Sequence, residues 1–374
     1  MNANQQFDTI LQQRLDEKES EGLLRKLVDT SGYIDFCSND YLGFSKKILH
    51  NVNPLPSGAT GSRLVTGNSA LAEATEKIIA NFHHAEAALI FNAGYMANVG
   101  LFSCIASKND TIISDEYIHA SIIDGIRLSY AIRYKFKHNN IEDLEKKLQL
   151  ATGRIFVAVE SIYSMDGDEA PLEAIVELCK KYSALMIVDE AHAIGVFGNK
   201  GEGLVCKYNL QNDVYACVYT FGKALGLHGA VVTGSKILRD HLINNARSFI
   251  YATALPPHTY LQIQEAYTLL PLADRNALYE LINYFRDAIQ NIKDAKFSDS
   301  NSPIQAIIIG DNFKAKALAE KLAAKNIYSK AILSPTVPVG TERLRICLHS
   351  FNTRGQIDTL LKEIKLYGNR SYLG

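Results

Sequence analysis

Val214–Ser235, VYACVYTFGKALGLHGAVVTGS, decides how the rest of the chain is read. The apolar run Val214–Tyr219 is too short for a helix and rich in valine and tyrosine, which fits a buried strand. The run ends at Thr220, and Lys223 follows three residues after it. A glycine-rich turn, Gly226–Gly229, leads into a second apolar run, Ala230–Thr233, which the short connection makes antiparallel to the first. An isolated lysine at a strand end is usually solvated. A lysine between two buried strands is costly unless its charge is removed or paired. A covalent imine with a carbonyl cofactor is one way to remove it.

Upstream, Ala184–Gly195 reads ALMIVDEAHAIG. Leu185–Val188 is again a short apolar strand, and Asp189 and His192 stand at its carboxyl end. Ligands of open α/β sheets bind outside the carboxyl ends of the strands. An aspartate there is commonly a helix N-cap. Asp, His and Lys together at two strand ends go beyond capping.

These residues resemble a known family. D-E-A-H followed by T-F-G-K is similar to the α-oxoamine synthases, pyridoxal-phosphate enzymes with the aspartate-aminotransferase type of fold (fold type I). The resemblance runs from Ser38 to about Leu366. It implies a mostly parallel central sheet flanked by helices, followed by a smaller C-terminal α/β domain. The expected division is 1–35 as an N-terminal helical segment, 36–257 as the large cofactor domain, and 258–374 as a bridging helix with the small domain.

Composition suits that size. The 374 residues are 47% hydrophobic and 21% charged, with a net charge of −1, as in an ordinary globular protein. Bulk charge points to neither nucleic acid nor membrane. Six cysteines form no CxxC pair, and several sit in apolar runs, so free thiols in a reducing compartment are expected and a metal site is not. The polar start MNANQQFDTILQQ has no apolar signal core, and no run reaches the ~18 apolar residues of a spanning helix, so a cytoplasmic location is expected.

Along the chain, Phe7–Val28 has the apolar spacing of an amphipathic helix carrying Arg25. SNDYLG at Ser38–Gly43 has turn chemistry and matches a family hexapeptide. Ala87–Phe91 reads as a strand, and Asn92–Tyr95 opens a helix, which together make an anion site from free backbone N–H groups. Thr111–Ser114 and Arg154–Glu160 are further strands. Ala120–Leu128 and Leu172–Tyr182 are helices. YATALPP at Tyr251–Pro257 breaks the alternation, and one long helix over His258–Asn291 is expected to bridge to the small domain. There Ile304–Ile309 and Glu342–Leu348 are strands. On the second, Arg343, Arg345 and Cys347 share one face.

The resemblance implies roles for particular residues. Lys223 would carry pyridoxal 5′-phosphate and act as base, and Asp189 would pair with the pyridine nitrogen. His192 would bond the ring hydroxyl, and His119 would lie flat on the ring. Gly94, Tyr95 and Thr220 would hold the phosphate, and Ser164 the region of the ring hydroxyl. Thr253 would complete the neighbouring subunit's cofactor site in a homodimer, as would the loop Thr60–Asn68. Arg25, His119, Thr336 and Arg345 would contact substrate, with Arg345 gripping a carboxylate. SNDYLG, DEAHAIGVFG with TFGKALG, and YATALPP with PTVPVGTERLR favour the branch that joins L-alanine to a pimeloyl thioester of coenzyme A or acyl carrier protein. Branches using glycine with acetyl-CoA, or serine with a palmitoyl thioester, are the alternatives.

Overall fold

The computed structural model describes residues 3–25, 28, 30, 32–47, 55–290, 292 and 295–371. Its centre is a seven-stranded sheet. The strands are β2 (Ala87–Phe91), β3 (Thr111–Asp115), β4 (Ile132–Phe136), β5 (Ile155–Glu160), β6 (Leu185–Asp189), β7 (Ala216–Thr220) and β8 (Ala230–Gly234). A two-residue strand, β1 (Ile34–Asp35), precedes them. The order across the sheet is β2-β8-β7-β6-β5-β3-β4. β8 is antiparallel to both β7 and β2, and the other pairs are parallel. The two reversals leave β2 running with β7. The carboxyl ends of β2, β5, β6 and β7 therefore share one edge of the sheet.

The near-continuous apolar runs of these strands follow from burial on both faces. One core packs Ala88, Ile90, Val157, Val159, Val188 and Tyr219 on one side; a second packs Leu89, Phe91, Ala158, Ile187 and Val218 on the other. The helices α2 (Ala70–Phe82), α3 (Gly94–Ile105), α4 (Ala120–Leu128), α5 (Ile141–Leu150) and α6 (Leu172–Lys181) lie between the strands in sequence.

A second sheet lies toward the C-terminus: β9 (Lys296–Phe297), β10 (Ile304–Ile308), β12 (Lys330–Ile332) and β13 (Arg343–Cys347), in the antiparallel order β12-β13-β10-β9. The short strand β11 (Ile327–Tyr328) pairs in parallel with β1. The chain before SNDYLG thus docks on the C-terminal part, and the Cys347 N–H donates to the Phe36 carbonyl at 2.9 Å.

Two helix expectations are corrected. The N-terminal helix α1 spans Ala3–Ser20 and does not continue to Val28. Gly22 adopts φ 69°, and the Leu23 N–H returns to the Lys18 carbonyl at 2.6 Å, which closes the helix with a left-handed glycine. Arg25 consequently lies in exposed chain beyond the helix. The expected bridge His258–Asn291 is two helices, Pro257–Leu269 and Arg275–Ile289. Pro271 sits in the break, and the Asp274 side chain caps the second helix by accepting from the Ala277 N–H at 3.2 Å. Arg343 is a structural charge: it is 5% exposed and pairs with Asp166.

Candidate active site

The shared edge of the sheet opens on a cavity of ≈ 230 Å³ lined by residues that include Gly94, Tyr95, His119, Asp189, Thr220 and Lys223. They arrive from several elements. β6 delivers Asp189 at its last residue, and β7 delivers Thr220 at its last. Lys223 follows in the turn to β8, where Gly226 (φ 63°) packs against the backbone of Ser45 with no room for a Cβ.

Lys223 Nζ lies 2.9 Å from Nε2 of His192. Burial pushes the amine's pKa down, while the Asp189 carboxylate opposes that shift. His192 is held well below the usual histidine range by burial first and by the charges of Lys223 and Arg345 next, so the ring is neutral. A lowered amine beside a neutral imidazole suits nucleophilic attack and proton transfer near neutral pH.

Asp189 is held from two sides. Its Oδ1 accepts from the Ala191 N–H at 2.9 Å, and its Oδ2 accepts from Asn98 Nδ2 at 2.7 Å. The same amide donates to Ser121 Oγ at 3.0 Å. His119 combines two roles that the sequence offers separately. Its Nδ1 accepts from the Ser121 N–H at 3.2 Å, which caps α4, and its ring also lines the cavity. Burial lowers its pKa, keeping the ring neutral.

The opposite wall is the start of α3. Its N-cap is Ala93, which has no side chain to satisfy the first-turn N–H groups. A Cβ on Gly94 would stand 2.5 Å from Thr220 Cγ2, so only glycine allows the helix start to approach β7 this closely. Thr220 Oγ1 is buried without a partner. An uncapped helix start and an orphaned hydroxyl, across from a half-buried lysine, fit a phosphate-bearing carbonyl cofactor. Asp189 supplies the anionic partner such a cofactor's pyridinium needs.

The remaining expected residues lie farther out. Arg345 donates through Nε to the Ser164 carbonyl at 2.7 Å and through Nη2 to Asn39 Oδ1 at 2.9 Å. It joins the site through Asn39, Tyr41 and His192. Thr253 is exposed, its carbonyl accepting from Asn92 Nδ2 at 2.6 Å and its backbone bridging Ser62. Thr336 is exposed in the proline loop, and neither it nor Arg25 lines this cavity.

Four site residues were absent from the sequence expectations: Asn39, Tyr41, Asn98 and Glu160. SNDYLG carried the first two as a motif without a role. Asn98 had a signal, a polar residue one turn beyond the helix start in a run that is buried with Ala97, Leu101 and Phe102. Glu160 had one too, an acid closing a buried apolar strand as Asp189 does. Among the described residues, no cluster of three or more His, Cys, Asp or Glu side chains suits a metal ion.

Comparison with known proteins agrees with this geometry. The profile of the family aminotransferase class I and II matches residues 31–364. A protein named 8-amino-7-oxononanoate synthase 2 from Bacillus subtilis is 36% identical, the match covering 98% of this chain and 99% of that one. Among solved structures, an 8-amino-7-oxononanoate synthase from Francisella tularensis superposes with a TM-score of 0.78 at 31% identity, covering 92% of this chain and 100% of that one. A serine palmitoyltransferase from S. paucimobilis, solved with PLP and myriocin bound, gives 0.87 at 26% identity, with both chains covered completely. The chain belongs to the class I and II aminotransferase family of fold type I pyridoxal-phosphate enzymes, and within it to the α-oxoamine synthases.

Proposed function

We propose that the chain condenses L-alanine with a pimeloyl thioester, giving 8-amino-7-oxononanoate, CO2 and the free thiol carrier, a step of biotin biosynthesis. The observation that carries this reading is Lys223, half-buried and 2.9 Å from His192, in the cavity it shares with Asp189 and the start of α3. The choice of amino acid and acyl group rests on relatives named for that product, which are 36–41% identical over nearly the whole chain.

When bound, pyridoxal phosphate supplies an electron sink for charge developing at the amino acid's Cα. Lys223 would hold the cofactor covalently at rest and, once its amine is free, would take the Cα proton of the amino acid. Asp189, fixed by Asn98 and the Ala191 N–H, keeps a negative charge beside the pyridine nitrogen. His119 supports the ring face, His192 and Ser164 address the ring hydroxyl, and Thr220 with the Gly94 and Tyr95 N–H groups holds the phosphate. Arg345 grips the substrate carboxylate. A Cα–acyl carbon bond forms, the thioester C–S bond breaks, and the thiol leaves. The carboxylate departs as CO2, and Lys223 returns a proton to Cα. Arg25 and Thr336 serve the acyl side, and Thr253 serves the neighbouring subunit's cofactor in a homodimer.

Six free cysteines, and no helix among the described residues long and apolar enough to cross a membrane, support a cytoplasmic enzyme. Mass spectrometry of products from a panel of amino acids and thioesters tests the reading. Alanine with pimeloyl-CoA or pimeloyl-acyl carrier protein should give the C9 amino ketone. Turnover of glycine with acetyl-CoA, and none of alanine with either pimeloyl thioester, would assign the chain to the glycine branch.

A further inference from the structure

Five side chains form one hydrogen-bonded line from Arg345 to Lys223. Arg345 Nη2 donates to Asn39 Oδ1 at 2.9 Å, and the Tyr41 hydroxyl donates to the same oxygen at 3.0 Å. The Tyr41 oxygen meets His192 Nδ1 at 2.9 Å, and His192 Nε2 meets Lys223 Nζ at 2.9 Å. Tyr41 is fully buried, and His192 is 4% exposed, so no water competes for the contact between them.

The donors can be assigned from the arginine end. A guanidinium only donates. Asn39 must therefore turn its oxygen toward Arg345, because a flipped amide would set N–H against N–H. That oxygen also faces Tyr41. The phenol has one proton, and burial raises its pKa, so the proton stays. If the phenol gave it to His192 instead, two oxygens would face each other at 3.0 Å with no proton between them. With the proton on the Asn39 side, the phenol oxygen is left to accept, and His192 Nδ1 must carry a hydrogen. The ring is neutral, so its Nε2 presents a lone pair.

We propose that Tyr41, oriented by Asn39 and Arg345, is a positioning residue that fixes His192 as the Nδ1–H tautomer. His192 then faces Lys223, and any group that takes the lysine's place, as a hydrogen-bond acceptor. It stabilises a proton on its partner, whether on the lysine amine or on a hydroxyl of the cofactor. The inference concerns the same site as the proposed function, and its readout is independent of which acyl group is transferred.

The test is 15N spectroscopy of histidine-labelled holoenzyme without substrate, with the His192 signal identified by its loss in His192→Gln. The expected spectrum has Nδ1 protonated and Nε2 unprotonated. Tyr41→Phe, which removes only the hydroxyl, should abolish that pattern. It should also move the pH midpoint of the bound cofactor's absorbance down by about one unit, the equivalent of one hydrogen bond. Asn39→Asp keeps an acceptor facing both Arg345 and Tyr41, so it should preserve the tautomer. A protonated Nε2 in the unmodified enzyme, or an unchanged tautomer and midpoint in Tyr41→Phe, would overturn the proposal. Because the spectra require no turnover, either result leaves the amino-acid and acyl assignments standing or falling separately.

Discussion

Glu160 and Asp189 are register partners at the carboxyl ends of the parallel strands β5 and β6. Two acids so placed do not share their burial equally. Asp189 has two donors, whereas Glu160 Oε1 is buried with no partner. Burial, and then the neighbouring Asp189 charge, push the Glu160 carboxyl up to about 8. It is therefore protonated at neutral pH in the cofactor-free protein. The unfolded chain releases this proton near the ordinary value of 4.5. Between those values the folded state binds the extra proton, so stability falls as pH rises. Glu160→Gln should remove a slope approaching about 1.4 kcal/mol per pH unit inside that window. Urea titrations across pH 5–8, by experimental design, check it, and parallel curves for variant and parent would refute it.

His138 makes a prediction of the same sign from a group that is charged, not neutral, in the folded state. It lies just beyond β4, its Nδ1 3.0 Å from Asp115 and its Nε2 2.7 Å from Asp168. Against the cost of burial, the two carboxylates raise its pKa to about 10. Its stabilisation is thus complete below the ordinary 6.5 and lost as pH rises through about 10. His138→Gln should cost on the order of 3 kcal/mol at pH 6, with the deficit shrinking toward pH 10. A pH-independent deficit in Tm would show that packing, not charge, holds this cluster.

Asp189→Asn should leave the fold intact but slow exchange of the amino acid's α-proton in deuterated water, roughly a hundredfold or more, because the ring nitrogen loses its ionic partner. An unchanged exchange rate at full cofactor occupancy would remove Asp189 from that role.

The segments expected at a subunit contact carry exposed apolar side chains. Val65 is 78% exposed and Tyr251 72%, and the bridge between Ser62 and Thr253 ties their two segments together. Isolated apolar exposure is ordinary, but two linked patches beside the cavity wall fit an interface. Val65→Asp should weaken a homodimer tenfold or more, about 1.4 kcal/mol. Sedimentation showing an active monomer in the parent protein would contradict the shared site.

The strands that build the site were legible because each is a short, doubly buried apolar run, and β5, β6 and β7 end in a polar residue. Asp189, Thr220 and Lys223 could be placed at one edge from that pattern alone. The strand Ile132–Phe136 was not singled out. As the edge strand it is half exposed, and IRYKF carries charges that blur the signal. Asn39 and Tyr41 were legible only as a motif. Their meaning depends on His192 and Arg345, which lie far along the chain, and a contact of that range has no local signature. Arg25 shows the reverse failure: its apolar neighbours keep helical spacing past Gly22, where a left-handed glycine ends the helix.

The central claim is that Lys223 binds the cofactor covalently and moves the Cα proton. Borohydride reduction of the holoenzyme, followed by proteolysis and peptide mass spectrometry, tests the first half directly. The cofactor's mass should appear on the peptide containing Thr220–Gly226 and on no other. Lys223→Ala should remain folded, take up no reducible cofactor and lose turnover roughly a thousandfold or more. Reduced cofactor on any other lysine, or a Lys223→Ala enzyme that still carries it, would contradict the account.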